Sequence, residues 1–139
     1  MNKIILVLGI LYLMYKSSPL YGINFKDTAR IRNLRPEIIH ALSVARTVFI
    51  THGSQLTVTD AWRDDPNSLH YHNLAIDLRA KHINYEKRQS ILSALQTGLG
   101  TDFQVILHGV GQSIHYHIEY DPLRIGIRNF MGEKEIRKA

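Results

Sequence analysis

Ser68-Leu-His70-Tyr-His72-Asn73-Leu-Ala75-Ile-Asp77 decides how this chain folds, and it is read together with a shorter stretch, His115-Tyr-His117-Ile-Glu119. His70 and Asp77 are seven positions apart. On one unbroken strand that odd spacing would send their side chains to opposite faces, because strand side chains alternate. The chain therefore has to turn between them. Asn73 is suited to the turn, since Asn tolerates the left-handed conformation better than most residues. Beyond it, Leu74, Ile76 and Leu78 alternate with Ala75, Asp77 and Arg79, which predicts a strand with an apolar face in the core and Asp77 on the other face. The shorter stretch alternates more cleanly. Ile114, Tyr116, Ile118 and Tyr120 fall on one side, and Ser113, His115, His117 and Glu119 on the other.

These donors have a chemical use. A catalytic zinc site takes three imidazole or carboxylate ligands from separate segments and leaves a fourth position for water. His70, Asp77 and one histidine of the His-x-His offer that set. A facial-triad iron site uses the same donor types, but with a close His-x-Asp spacing that is missing here. A cupin would need more strands than this length allows.

Ser-x-His-x-x-x-x-Ala-x-Asp followed by His-x-His resembles the zinc peptidases that include D-Ala-D-Ala carboxypeptidases, D-Ala-D-Ala dipeptidases and the L-Ala-D-Glu endopeptidases of phage lysins. Hedgehog signalling domains share that fold and zinc site. The similarity covers roughly residues 55 to 121. It implies an α+β domain of the hedgehog/D-Ala-D-Ala peptidase type, with zinc held by His70, Asp77 and His117. In much of the family an Asp or Glu three positions before the last ligand is the base, and here that position is Ile114. His115 matches the other, lysostaphin-type His-x-His arrangement, in which the first histidine assists. Glu119, on the face of His117, is the alternative base or an orienting group. Asn73 stands where the family carries glycine. Arg63 follows a strand, as does the family arginine that holds the substrate or its developing oxyanion; its setting, Thr59-Asp-Ala-Trp-Arg63, is offset from the family's Ser-x-x-Arg. Otherwise Arg63 is a surface residue paired with Asp64 or Asp65.

The totals are compatible with this. The 139 residues make one domain, with 45% hydrophobic residues to build a core. A net charge of +5 favours anionic partners. No nucleic-acid motif accompanies that charge, and the aromatics are not interleaved with the basic residues as a stacking surface requires, so nucleic acid is not an expected partner. The absence of cysteine excludes disulfides, thiolate ligands and a cysteine nucleophile.

Along the chain, Ile4 to Tyr15 is apolar behind Lys3, too short for a membrane span of about 20 residues. It predicts a secretory signal peptide, or a signal-anchor if uncleaved, over residues 1–22, and hence export to the periplasm or medium. Pro36 opens a helix whose stripe is Ile38, Ile39, Leu42, Ala45, Val48 and Phe49, with His52-Gly53 ending it. A strand is expected from Leu56 to Arg63. Asn84 caps a second helix from Tyr85 to about Thr97, which Gly98 and Gly100 stop. Phe103, Val105 and Leu107 predict another strand, and His108 to Gln112 a turn with His108 in it. Residues 123–127 are expected as a short edge and 129–139 as a charged tail. The domain is thus residues 23–128, a small antiparallel sheet with two helices packed on it. The expected protein is a monomeric zinc metallopeptidase hydrolysing peptidoglycan stem peptides or cross-links; the alternative is a non-catalytic, zinc-stabilised binding module of the same fold.

Overall fold

The structure is a computed structural model, and it describes residues 8, 10–14, 18 and 20–122. Most of the expected leader, the edge at 123–127 and the tail at 129–139 lie outside the described residues. Residues 10–14 are helical, and no described helix is long and apolar enough to cross a membrane.

Among the described residues two long helices, a 3-10 turn at Gly111–Ser113 and a five-stranded sheet make an α+β fold. In chain order the two long helices and the strands are β1 (Asn24–Phe25), α1 (Pro36–Thr51), β2 (Thr57–Asp60), β3 (Ala75–Arg79), α2 (Tyr85–Leu99), β4 (Phe103–His108) and β5 (His115–Tyr120). The sheet order is β1-β2-β3-β5-β4. Its pairings are antiparallel except at one edge, where β1 runs parallel to β2. That corrects the expectation of a wholly antiparallel sheet. β1 is two residues long, too short to carry a period of its own, and backbone bonds from Asn24 to Leu56 and from Lys26 to Val58 hold it in place.

Helix boundaries follow local chemistry. Pro36 sits in the first turn of α1, where a missing N–H costs nothing. At its end Gly53 takes φ +60°, a conformation that favours glycine, and Ser54 N–H returns to the Phe49 carbonyl. The Asn84 side chain accepts the Lys87 N–H at 2.9 Å and caps α2. Gly98 does not stop that helix, which runs to Leu99. A Cβ at Gly98 would lie 2.9 Å from Val44 Cγ1, so the glycine is spent on close helix approach instead.

One face of the sheet and both helices enclose the core. Ile38, Leu42, Ala45 and Phe49 of α1 and Ile91, Leu95 and Leu99 of α2 pack with Ile76 and Leu78 of β3 and Tyr116 and Ile118 of β5. Tyr116 is fully buried, meets Phe49 edge-on with ring centroids 5.8 Å apart, and donates its hydroxyl to the Arg88 carbonyl. Tyr116→Ala is expected to destabilise the fold by about 3–5 kcal/mol, since it opens a large cavity in the core. Urea denaturation of the metal-free protein measures this. A loss below 1 kcal/mol would mean that Tyr116 does not anchor the core.

Candidate metal centre

Alternation does the placing. With Ile76, Leu78, Tyr116 and Ile118 committed to the helices, Ala75, Asp77 and Arg79 of β3 and His115, His117 and Glu119 of β5 take the opposite face. The register pairs Asp77 directly with His117, Ala75 with Glu119 and Arg79 with His115. His70 arrives from the preceding loop. Residues 68–73 wind through backbone bonds from Tyr71 to Ser68, His72 to Leu69 and Asn73 to His70, and Leu74 N–H returns to Leu69. Asn73, at φ +54°, makes the expected turn and starts the chain into β3.

The imidazoles of His70 and His117 and the carboxylate of Asp77 come together, with one ligand atom from each within 4.8 Å of the others, so the group can hold a metal ion. Asp77 Oδ1 lies 2.8 Å from His117 Nδ1 and 3.4 Å from His70 Nε2. Ligand bonds of about 2.0–2.1 Å in a tetrahedral zinc site imply ligand–ligand edges of roughly 3.3 Å, so these separations suit such an ion. His70 gives a second test. Its Nδ1 lies 3.1 Å from the Ala61 carbonyl, which can only accept, so Nδ1 carries the proton and Nε2 the lone pair. That Nε2 is buried and makes no hydrogen bond. A buried lone pair aimed at a carboxylate and a second imidazole fits a cation.

His117 is held from both sides, with Nδ1 on Asp77 and Nε2 3.0 Å from Glu119 Oε2. Without metal, burial pushes the His117 pKa down, but the hydrogen bonds and charges of Asp77 and Glu119 outweigh it and raise it to about 9. For Asp77, burial pushes upward, and the hydrogen bond and charge of His117 overcome it to hold the carboxyl well below its usual value. The sign for stability follows. His117 has a folded pKa above its ordinary 6.5, so its contribution is complete below that pH and is lost as pH rises through about 9. The Asp77 contribution is present above the ordinary carboxylate range and is lost as pH falls through its depressed value. The metal-free protein is therefore expected to be most stable between about pH 4 and 6.5. Its urea midpoint should decline from pH 6.5 to 9, and a flat profile there would contradict the ion pair.

Arg63 forks onto Asp60 Oδ2 through Nε at 3.0 Å and Nη2 at 2.6 Å, and its Nη2 also reaches Asp77 Oδ2 at 3.3 Å. Asp64 and Asp65 are not its ion-pair partners. The cause is a bulge: Val58 pairs with Leu78 but Asp60 with Asp77, so β2 carries one extra residue there. The strand itself ends at Asp60, short of the expected Arg63.

His115 Nδ1 lies 2.6 Å from the Ser113 carbonyl, which leaves Nε2 as the unprotonated nitrogen of the neutral ring, 3.8 Å from Asp77 Oδ1. Glu119 is almost fully buried behind His117. Arg63, Ser68, His70, Asp77, His115, His117 and Glu119 line one cleft of about 420 Å³. His108 lines it too, in place of the turn position expected for it. It is the last residue of β4, opposite His115, with ring centroids 4.2 Å apart. The signal was present: if Phe103, Val105 and Leu107 face one way, His108 faces the other. Burial, followed by the charges of His115 and His117, lowers its pKa.

His72, His40 and Trp62 do not line this cleft. His72 Nε2 meets the Pro66 carbonyl, and the exposed His40 in α1 faces the Phe103 ring. Trp62 lies outside the cleft lining, with the Arg32 guanidinium 4.3 Å from its ring centroid and Tyr71 packed beside it. No protein-family model, curated protein or solved structure matches the chain.

Proposed function

We propose that the chain is a zinc-dependent peptidase that cuts peptide bonds in bacterial peptidoglycan stem peptides or cross-links, outside the cytoplasm, on a fold of the hedgehog/D-Ala-D-Ala peptidase type. The observation that carries this reading is the convergence of His70 Nε2, Asp77 Oδ1 and His117 Nδ1, with the first of them buried and unpartnered. His70, Asp77 and His117 would hold the ion. Zinc bound there supplies a Lewis acid for the scissile carbonyl and makes water acidic enough to attack near neutral pH.

The chain's own groups do the rest. His115 presents Nε2 to the cleft, its Nδ1–H being held by the Ser113 carbonyl, and takes the proton from the attacking water. Glu119 accepts from His117 Nε2 and so turns Nδ1 toward Asp77; it orients the ligand and leaves the base role to His115. Arg63 is half-exposed at the cleft, and among the described residues its Nη1 makes no hydrogen bond. Those two N–H groups are free to bind the substrate carboxylate or the oxyanion. Its tether to Asp60 fixes the aim.

A second reading rests on Ile114. With an aliphatic residue where much of the resembling family has its acid, the fold would serve as a zinc-stabilised binding module without turnover. One experiment separates the two. The full chain is stripped of metal, reloaded with zinc and incubated with a peptidoglycan digest. The peptidase releases new amino termini only when zinc is present. The module binds one zinc per chain and gains about 4 kcal/mol at a thousandfold excess over Kd, but releases nothing. Failure to bind zinc would overturn both.

A further inference from the structure

A second hollow of about 220 Å³ opens on the same face of the sheet as the metal cleft, and His115 lines both. Lys26, just after β1, Arg79, at the end of β3, and Lys81 supply three cations to its wall, with Thr59 and Gln112 beside them. Among the described residues no carboxylate lines this hollow, and none of the three cations makes an ion pair. Concentrated positive charge without an internal counter-charge is an anion site. The register fixes its position. Arg79 is two residues beyond Asp77 on the same face of β3 and is paired with His115, so the cations begin roughly 7 Å along the strand from the metal ligands. An extended peptide covers about 3.3–3.6 Å per residue, so a group there belongs to the same short peptide, within two residues of the bond lying over the cleft.

We propose that this hollow is a carboxylate subsite, which selects peptides bearing a free carboxylate one or two residues from the bond to be cut. A guanidinium and two ammonium groups lining one hollow suit a carboxylate through charge-assisted hydrogen bonds. The carboxylate comes from the peptide's own C-terminus or from an acidic side chain. The distance to the cut rests on the peptidase reading; the anion preference does not.

The test is equilibrium binding, followed by NMR titration of the metal-stripped full chain in buffer free of phosphate and citrate. The probes are acetyl-trialanine as free acid, the same peptide as its C-terminal amide, and acetyl-Ala-Glu-Ala amide. At least one acid is expected to bind about tenfold more tightly than the neutral amide, with amide shifts at Thr59 and Gln112. Which acid gains identifies the source of the carboxylate. In the double variant Arg79→Gln, Lys81→Gln the preference should fall below threefold. The double variant Lys26→Gln, Lys81→Gln, which changes exposed side chains only, should lose part of it and covers the case in which loss of Arg79 harms folding. Zinc stoichiometry stays at one per chain in both. Equal binding of acid and amide, binding of neither, or a preference that survives both double variants overturns the subsite. Because no turnover is needed, absence of peptidase activity leaves this outcome readable. Cleavage indifferent to the carboxylate would remove the subsite and leave the peptidase standing.

Discussion

Asp77→Asn is expected to reduce zinc binding from one ion per chain to near none at micromolar metal, and to abolish hydrolysis with it. Asp77 is the hub of the site. Its Oδ1 faces His70, His115 and His117, and its Oδ2 takes the Arg63 guanidinium. An amide keeps the shape but loses the charge, and it gives up an acceptor for the Arg63 guanidinium or for His117 Nδ1. If a site of this kind contributes about 10–16 kcal/mol in total, losing one of three protein ligands removes about 4 kcal/mol, or roughly a thousandfold in affinity. Metal analysis after dialysis, with calorimetric titration, reads the effect. Full zinc occupancy in the variant would show that the ion sits elsewhere.

His115→Ala separates proton transfer from metal binding. Removing a positioned general base costs about 10² to 10⁴ in rate, while zinc stoichiometry should be unchanged, because His115 Nε2 is the farthest of the three imidazole nitrogens facing Asp77 Oδ1, at 3.8 Å. Glu119→Gln should give the opposite pattern, with zinc affinity about 10- to 100-fold weaker and a smaller loss of kcat at saturating metal. If the Glu119 variant lost turnover at full occupancy while His115→Ala kept it, the two roles would be exchanged.

Much of the placing of these candidate ligands was legible in the sequence because they ride on alternation. The odd spacing of His70 and Asp77 required a turn, and Asn73 provides it with a positive φ. The clean alternation of 113–120 put His115, His117 and Glu119 on one face. Helix ends were readable where one residue performs one local task, as at Pro36, Asn84 and Gly53. What escaped depends on partners distant in the chain. The pair Asn24–Phe25 is a strand only because β2 lies alongside it. Gly98 carries a stop signal, yet α1 crosses there and uses the missing side chain. Arg63 finds Asp60 and Asp77 instead of its sequence neighbours because a bulge, invisible to a period-2 pattern, rotates the end of β2. His108 needed the β4–β5 register to place it against His115.

The direct cross-strand pairing of Asp77 with His117 has a thermodynamic consequence. Two of the three candidate ligands sit on adjacent strands, already locked by ladder hydrogen bonds, so capturing an ion there would order little new backbone. The site is preorganised, and the entropy of gathering its donors is spent when the sheet forms. Association should therefore proceed with a heat-capacity change close to zero and with the amide-exchange protection of both strands unaltered, unlike the coupled folding of a zinc finger.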